Sequence, residues 1–121
     1  MPRIFITCGD RAFCEKIQNS LNAQCEFVVC GCEKIGLQTI EKALQLLPDL
    51  IIIETDMCAG DGLFVAESVK RLLPNTPVFL VTDTYSFGAE KESLSRGVDA
   101  VFQKGQVSSL IKNVRGACGL E

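Results

Sequence analysis

Four polar or thiol side chains stand at the ends of apolar runs, and these are the residues whose types and positions could do chemistry. Glu54 follows Leu50-Ile51-Ile52-Ile53, and Thr82 follows Val78-Phe79-Leu80-Val81. Lys104 comes just after Ala100-Val101-Phe102, and Cys8 follows the Ile- and Phe-containing stretch from Arg3 to Thr7. A carboxylate that ends a buried strand needs a cationic partner, and Lys104 is the obvious one. Such an ion pair serves structure as readily as signalling. Thr82 offers a hydroxyl to any anion held nearby, although threonine is common at strand ends for packing alone. Asp56, two residues past Glu54, reads as a solvated loop acid. These residues do not compose a hydrolytic site. The chain has no histidine, no glycine-rich phosphate cradle after its first strand and no evident pairing of nucleophile and base.

Seven cysteines are many for 121 residues. Cys30-Gly31-Cys32 lacks zinc-finger spacing, and no histidine completes a mixed site. An odd cysteine count, with no secretory signal in Met1-Pro2-Arg3-Ile4, points to reduced thiols in a cytoplasmic protein. Most then behave as small buried hydrophobes. Cys8 and Cys58 both fall near strand ends, where a redox switch is the alternative to two packed thiols. Only Lys104 and the helix N-terminus after Gly9 would lower their pKa.

Positioning these side chains requires an alternating pattern of elements. Arg3 to Thr7 reads as a strand, and Phe13, Ile17 and Leu21 then recur at helical spacing behind Asp10, a natural N-cap. Cys25 to Cys30 reads as a second strand. Ile40, Ala43, Leu44 and Leu47 form the next helical stripe, ended by Pro48. Leu50 to Ile53 is apolar throughout, as a strand covered on both faces must be. Asp61 can cap a helix striped by Val65, Val69, Leu72 and Leu73. Val78 to Val81 is a fourth strand, and a weakly patterned helix spans Ser86 to Ser95, closed by Gly97. Ala100 to Phe102 is a short fifth strand. Val107, Leu110, Ile111 and Val114 stripe a last helix.

Five strand–helix alternations imply a parallel sheet with right-handed crossovers. The expected fold is a flavodoxin-like (βα)5 three-layer α/β sandwich with strand order 2-1-3-4-5. One domain over residues 1–119 accounts for the chain, with Leu120-Glu121 set aside as having the character of a cloning scar. Functional crevices in such sheets open at the carboxyl ends of the strands. Cys8, Glu54, Thr82 and Lys104 all fall there.

Pro48-Asp49-Leu50-Ile51-Ile52-Ile53-Glu54 with Asp61-Gly62, Thr76-Pro77 with Val81-Thr82, and Gly97-Val98-Asp99-Ala100 with Lys104 together resemble the receiver domains of two-component response regulators. The resemblance runs over nearly the whole chain. It implies a domain that accepts a phosphoryl group on an aspartate from a histidine kinase, with magnesium held by acidic residues. The family's phosphoacceptor position falls on Glu54, and its acidic pair falls on Cys8 and Gly9. Its switch hydroxyl falls on Thr82 and its lysine on Lys104, while its switch aromatic falls on Val101 and its loop proline on Cys58. Its usual partner surface maps to Tyr85, Phe87 and Val101.

At the chemistry the match breaks. Magnesium wants several hard oxygen ligands, and phosphoryl transfer leans on that cation to neutralise developing charge. A thiol and a glycine supply no anionic oxygen. The extra methylene of Glu54 also displaces a would-be nucleophile, and misplacement by about 1 Å can cost roughly 100-fold in rate. Asp10 can turn inward in principle, but capping the first helix is its simpler role.

Composition agrees with a signalling or interaction module. Hydrophobic residues make up 47% and charged residues 22%, an ordinary globular mixture. A net charge of −3, from 15 acids and 12 bases, argues against direct nucleic-acid binding. No apolar run is long enough to span a membrane. The expected protein is an atypical receiver-like domain without a cofactor, independent of aspartyl phosphorylation. It would work by contact with a protein partner or fused output domain, or as a homodimer. The alternatives are a phospho-accepting receiver using Glu54 or Asp56, and a small cofactor-binding flavodoxin-like protein.

Overall fold

The apolar runs at Leu50–Ile53 and Val78–Val81 form the middle of a five-stranded sheet, with every residue buried. A computed structural model of the chain describes residues 1–34, 36–55 and 61–120. The sequence expectations for Asp56, Cys58 and the side chain of Asp61 lie outside the described residues. The elements run β1 (Arg3–Cys8), α1 (Arg11–Ala23), β2 (Val28–Lys34), α2 (Gln38–Leu46), β3 (Leu50–Glu54), α3 (Asp61–Leu72), β4 (Val78–Thr82), α4 (Phe87–Ser95), β5 (Ala100–Gln103) and α5 (Val107–Ala117). All paired strands are parallel, in the order β2-β1-β3-β4-β5. This is the flavodoxin-like arrangement expected of the alternating pattern.

Alternation along each strand splits the core into two layers. Ile4, Ile6, Leu50, Ile52 and Val81 meet Ile17 and Leu21 of α1 and Leu110 and Val114 of α5. On the other face Phe5, Ile51, Ile53, Val78 and Leu80 meet Ala43 of α2 and Val65 and Val69 of α3. Each fully buried Ile or Leu contributes about 1.5–3 kcal/mol, so the sheet centre dominates the stability of the domain. At α4 the pattern is thin: Ser93 is its one buried residue, and Leu94 is 45% exposed.

The structure departs from the sequence reading in four places. The second strand begins at Val28 rather than Cys25, because α1 closes at Gln24 and Cys25 then takes a left-handed turn with φ of 58°. In α2, Leu44 and Leu47 are exposed, and only Ala43 and Thr39 are fully buried. Leu47 leaves the helical face by adopting the left-handed cap conformation. Leu72 is likewise half exposed, with Leu73 taking the inward position. Leu120, set outside the fold by the sequence reading, packs on the core and donates its N–H to the Arg115 carbonyl.

Two motif aspartates turn out to be structural. Asp49 donates its N–H to the Arg3 carbonyl at 2.8 Å, and its Oδ2 accepts the Arg3 N–H at 2.7 Å. Asp99 repeats the arrangement with Val78, donating at 2.9 Å and accepting at 2.8 Å. Lys70 then bridges Asp99 Oδ2 and the Thr76 carbonyl. Replacing Asp99 strands the Val78 N–H beside a buried strand. Asp99→Ala is therefore expected to lower stability by about 1–3 kcal/mol, measured as a shift in the urea midpoint at unchanged slope.

Candidate functional site

Parallel pairing brings the carboxyl ends of the strands together. Cys8 lies opposite Glu54, Glu54 opposite Val81, and Thr82 opposite Gln103, one residue before Lys104. The Lys104 N–H is held by the Thr82 carbonyl at 3.0 Å, which fixes the base of the lysine side chain.

Glu54 is 3% exposed and fully engaged. Its Oε1 accepts the backbone N–H groups of Gly9 at 2.9 Å and Asp10 at 2.7 Å. Its Oε2 lies 3.3 Å from Lys104 Nζ. The expected ion pair is present, and two backbone donors satisfy what the lysine leaves over. Gly9 matters here as backbone: it offers an N–H at the point where the resemblance implies a carboxylate.

The lysine has more partners than the sequence reading allowed. Its Nζ donates to Asp10 Oδ2 at 3.1 Å and lies 3.8 Å from Asp83 Oδ2. It also sits 5.5 Å above the centroid of the Phe13 ring, a cation–π distance. Asp10 performs both roles weighed for it. Its Oδ1 caps α1 by accepting the Ala12 and Phe13 N–H groups, while Oδ2 faces the lysine. Asp83 was missed. It immediately follows Thr82, and the strand-end logic that found Thr82 reaches it one residue later.

Charge states follow from this geometry. Burial pulls Lys104 down, but the hydrogen bond with Asp10 and the charge of Glu54 outweigh it, and its pKa lies above the ordinary lysine value. The Lys104 hydrogen bond, with help from the Phe13 N–H, holds the Asp10 carboxyl below its usual range. Burial first, then the negative charges of Glu54 and Asp10, push the Cys8 thiol up to about 12. Cys8 is thus a packed, protonated thiol rather than a ligand or nucleophile.

The remaining expected site residues divide. Thr82 is buried, and its hydroxyl is paired with Thr84, at 2.9 Å to Oγ1 and 3.1 Å to the N–H. Phe87 is 74% exposed at the start of α4, and Tyr85, also exposed, donates its hydroxyl to Glu90. Val101 is corrected as a surface contact: it points into the layer beneath the sheet and is 9% exposed. The cysteines also differ from a uniform set of reduced thiols. Cys14 and Cys32 are paired as a disulfide, while Cys8, Cys25, Cys30 and Cys118 are free.

Comparison with known structures defines the class. The response regulator domain of Thermotoga maritima CheB superposes with a TM-score of 0.79 at 23% identity, over 100% of this chain and 98% of that one. A DNA-binding response regulator of the LuxR family from Staphylococcus aureus gives 0.85 at 17% identity, over 97% and 98%. No family model matches the chain. In sequence, the response regulator protein VraR of Staphylococcus saprophyticus is 36% identical over 88 residues, covering 73% of this chain. The matched region spans 42% of the length of that relative. Fold and sequence together make the chain a domain of the response-regulator receiver type.

The central ion pair has a measurable signature. Lys104→Ala leaves the buried Glu54 carboxylate without a cation and is expected to cost about 3–5 kcal/mol. Because the lysine's pKa is raised on folding, its contribution is complete below the unfolded value, about 10.4, and fades as pH climbs through the higher folded value. The stability difference between wild type and Lys104→Ala, followed by denaturant unfolding, should therefore hold at pH 8 and shrink above about pH 10.4.

Proposed function

We propose that this domain is a receiver-like signalling module that works by protein contact without aspartyl phosphorylation, within a larger cytoplasmic regulator. The observation that carries the reading is the state of Glu54. The carboxylate at the phosphoacceptor position is already paired with Lys104 and held by the Gly9 and Asp10 N–H groups. The lysine thus answers a carboxylate at that position without a phosphoryl group.

The residues present do not fit the magnesium site that the resemblance implies. Cys8 is a protonated thiol, Gly9 has no side chain, and both Glu54 oxygens are engaged. Asp10 spends one oxygen on its helix and the other on the lysine. On Glu54 and Asp10, a hard, octahedral cation finds no carboxylate oxygen without a prior claim.

Partner contact then falls to exposed apolar groups, among them Phe87 and Tyr85 at the head of α4. The relatives support a place in a longer chain, since VraR is more than twice the length of the matched segment. Among the described residues no helix is long and apolar enough to cross a membrane. The second reading, a phospho-accepting receiver, is favoured by one observation: Asp10 and Asp83 add carboxylates around Lys104.

Intact mass after incubation with acetyl phosphate and magnesium separates the two readings. No phosphoryl adduct is expected on the wild type or on Glu54→Asp, because restoring the nucleophile does not restore the cation site. A stable adduct on the wild type would reject phosphorylation independence and favour the second reading, whereas one on Glu54→Asp alone would show that the acidic pair is not required for the chemistry.

A further inference from the structure

A cavity of about 590 Å³ opens beside β1 and β2, and Cys8, Cys14 and Cys32 share its wall with Arg11, Glu15 and Lys34. The three thiols are not equivalent. Cys8, with its pKa near 12, stays protonated and inert. Cys14 projects from α1 and is 4% exposed. Cys32, on the edge strand, is open to solvent. These two lie 18 residues apart in sequence and meet sulfur to sulfur. An accessible thiol next to a shielded one is the arrangement that exchange with an external disulfide requires: the first, as thiolate, attacks the small disulfide in solvent, and the second resolves the mixed disulfide.

We propose that Cys14 and Cys32 form a reversible dithiol–disulfide site, acted on by low-molecular-weight disulfides such as oxidised glutathione, that bolts α1 to the edge of the sheet. The Cys32 thiolate attacks one sulfur of the small disulfide, forming a mixed disulfide and releasing one small thiolate. The Cys14 thiolate then attacks the Cys32 sulfur and expels the second. Two protein thiols are oxidised, one small disulfide is reduced to two thiols, and the two protons lost by the cysteines pass to the departing thiolates. The closed bond ties α1 to β2 across 18 residues of sequence, and reduction removes that tie. Since α1 also carries the Asp10 cap and the Phe13 ring beneath Lys104, the site adjoins the charged cluster without sharing a residue with it.

The test uses the reduced chain in a Cys25→Ser background, because Cys25 is exposed and takes an adduct of its own. With oxidised glutathione the intact mass is expected to fall by two hydrogens, and a digest to join the Cys14 and Cys32 peptides. The thermal midpoint should rise by roughly 5–15 °C over the dithiothreitol-treated form. Cys14→Ser should stop at a single glutathione adduct on Cys32. Cys32→Ser, a change at an exposed position that keeps the fold, should take no adduct at Cys14. A bridge through other cysteines, adducts without a bridge, or an oxidised chain that melts with the reduced one would overturn the proposal.

Discussion

A carboxylate with almost no exposure is the constraint around which the carboxyl edge of this domain is arranged. Burying an ionised Glu54 without compensation would cost several kcal/mol, so each neighbour answers its charge in a different way. β5 ends one residue before Lys104, which aims the ammonium along the crevice. The turn after β1 points two successive N–H groups at the same oxygen. Gly9 is suited to this turn, because the backbone itself is the donor. Cys8, next to the carboxylate on the neighbouring strand, stays neutral because burial disfavours its thiolate and the adjacent anion would repel it.

The balance of charge within the cluster has its own consequence. Asp10, Glu54 and Asp83 surround one ammonium, so formal charges sum to minus two before the helix is considered. Part of that excess is absorbed by the N-terminus of α1, whose N–H groups bind Asp10 Oδ1 and whose dipole favours negative charge. The aromatic face of Phe13 offers the lysine a further, weaker attraction. A site already rich in anions, with its lysine occupied, is a poor host for another anion.

Much of this was legible in the sequence. Continuous apolar runs at Leu50 and Val78 announced central parallel strands, and the polar residues ending them marked the crevice. The pairing of Glu54 with Lys104 followed from strand order alone. What escaped were features set by local backbone turns rather than by periodicity. The second strand slipped because Cys25 adopts a left-handed conformation that its residue type does not advertise. Leu44 and Leu47 carried the right helical spacing, yet Leu44 sits on the exposed side of α2, and Leu47 leaves the helix at its left-handed cap. Asp10 was read as either cap or pocket residue, because one carboxylate serving both with its two oxygens is visible only in three dimensions. The meeting of Cys14 with Cys32 depends on how far α1 lies over the edge strand, which no spacing rule encodes.

The reciprocal aspartates at the opposite end of the sheet solve a problem that burial cannot. A strand that alternates apolar and polar residues is aligned by its pattern, since a slip of one residue turns its apolar face to water. β3 and β4 are apolar at nearly every position, so a misaligned neighbour would bury about as much surface as the native one. Asp49 against Arg3 and Asp99 against Val78 remove that degeneracy. Each closes a pair of hydrogen bonds that exists in a single alignment, and each links segments far apart in the chain. Hydrophobic collapse can bring these strands together in several ways; the two carboxylates make one of them the lowest in energy.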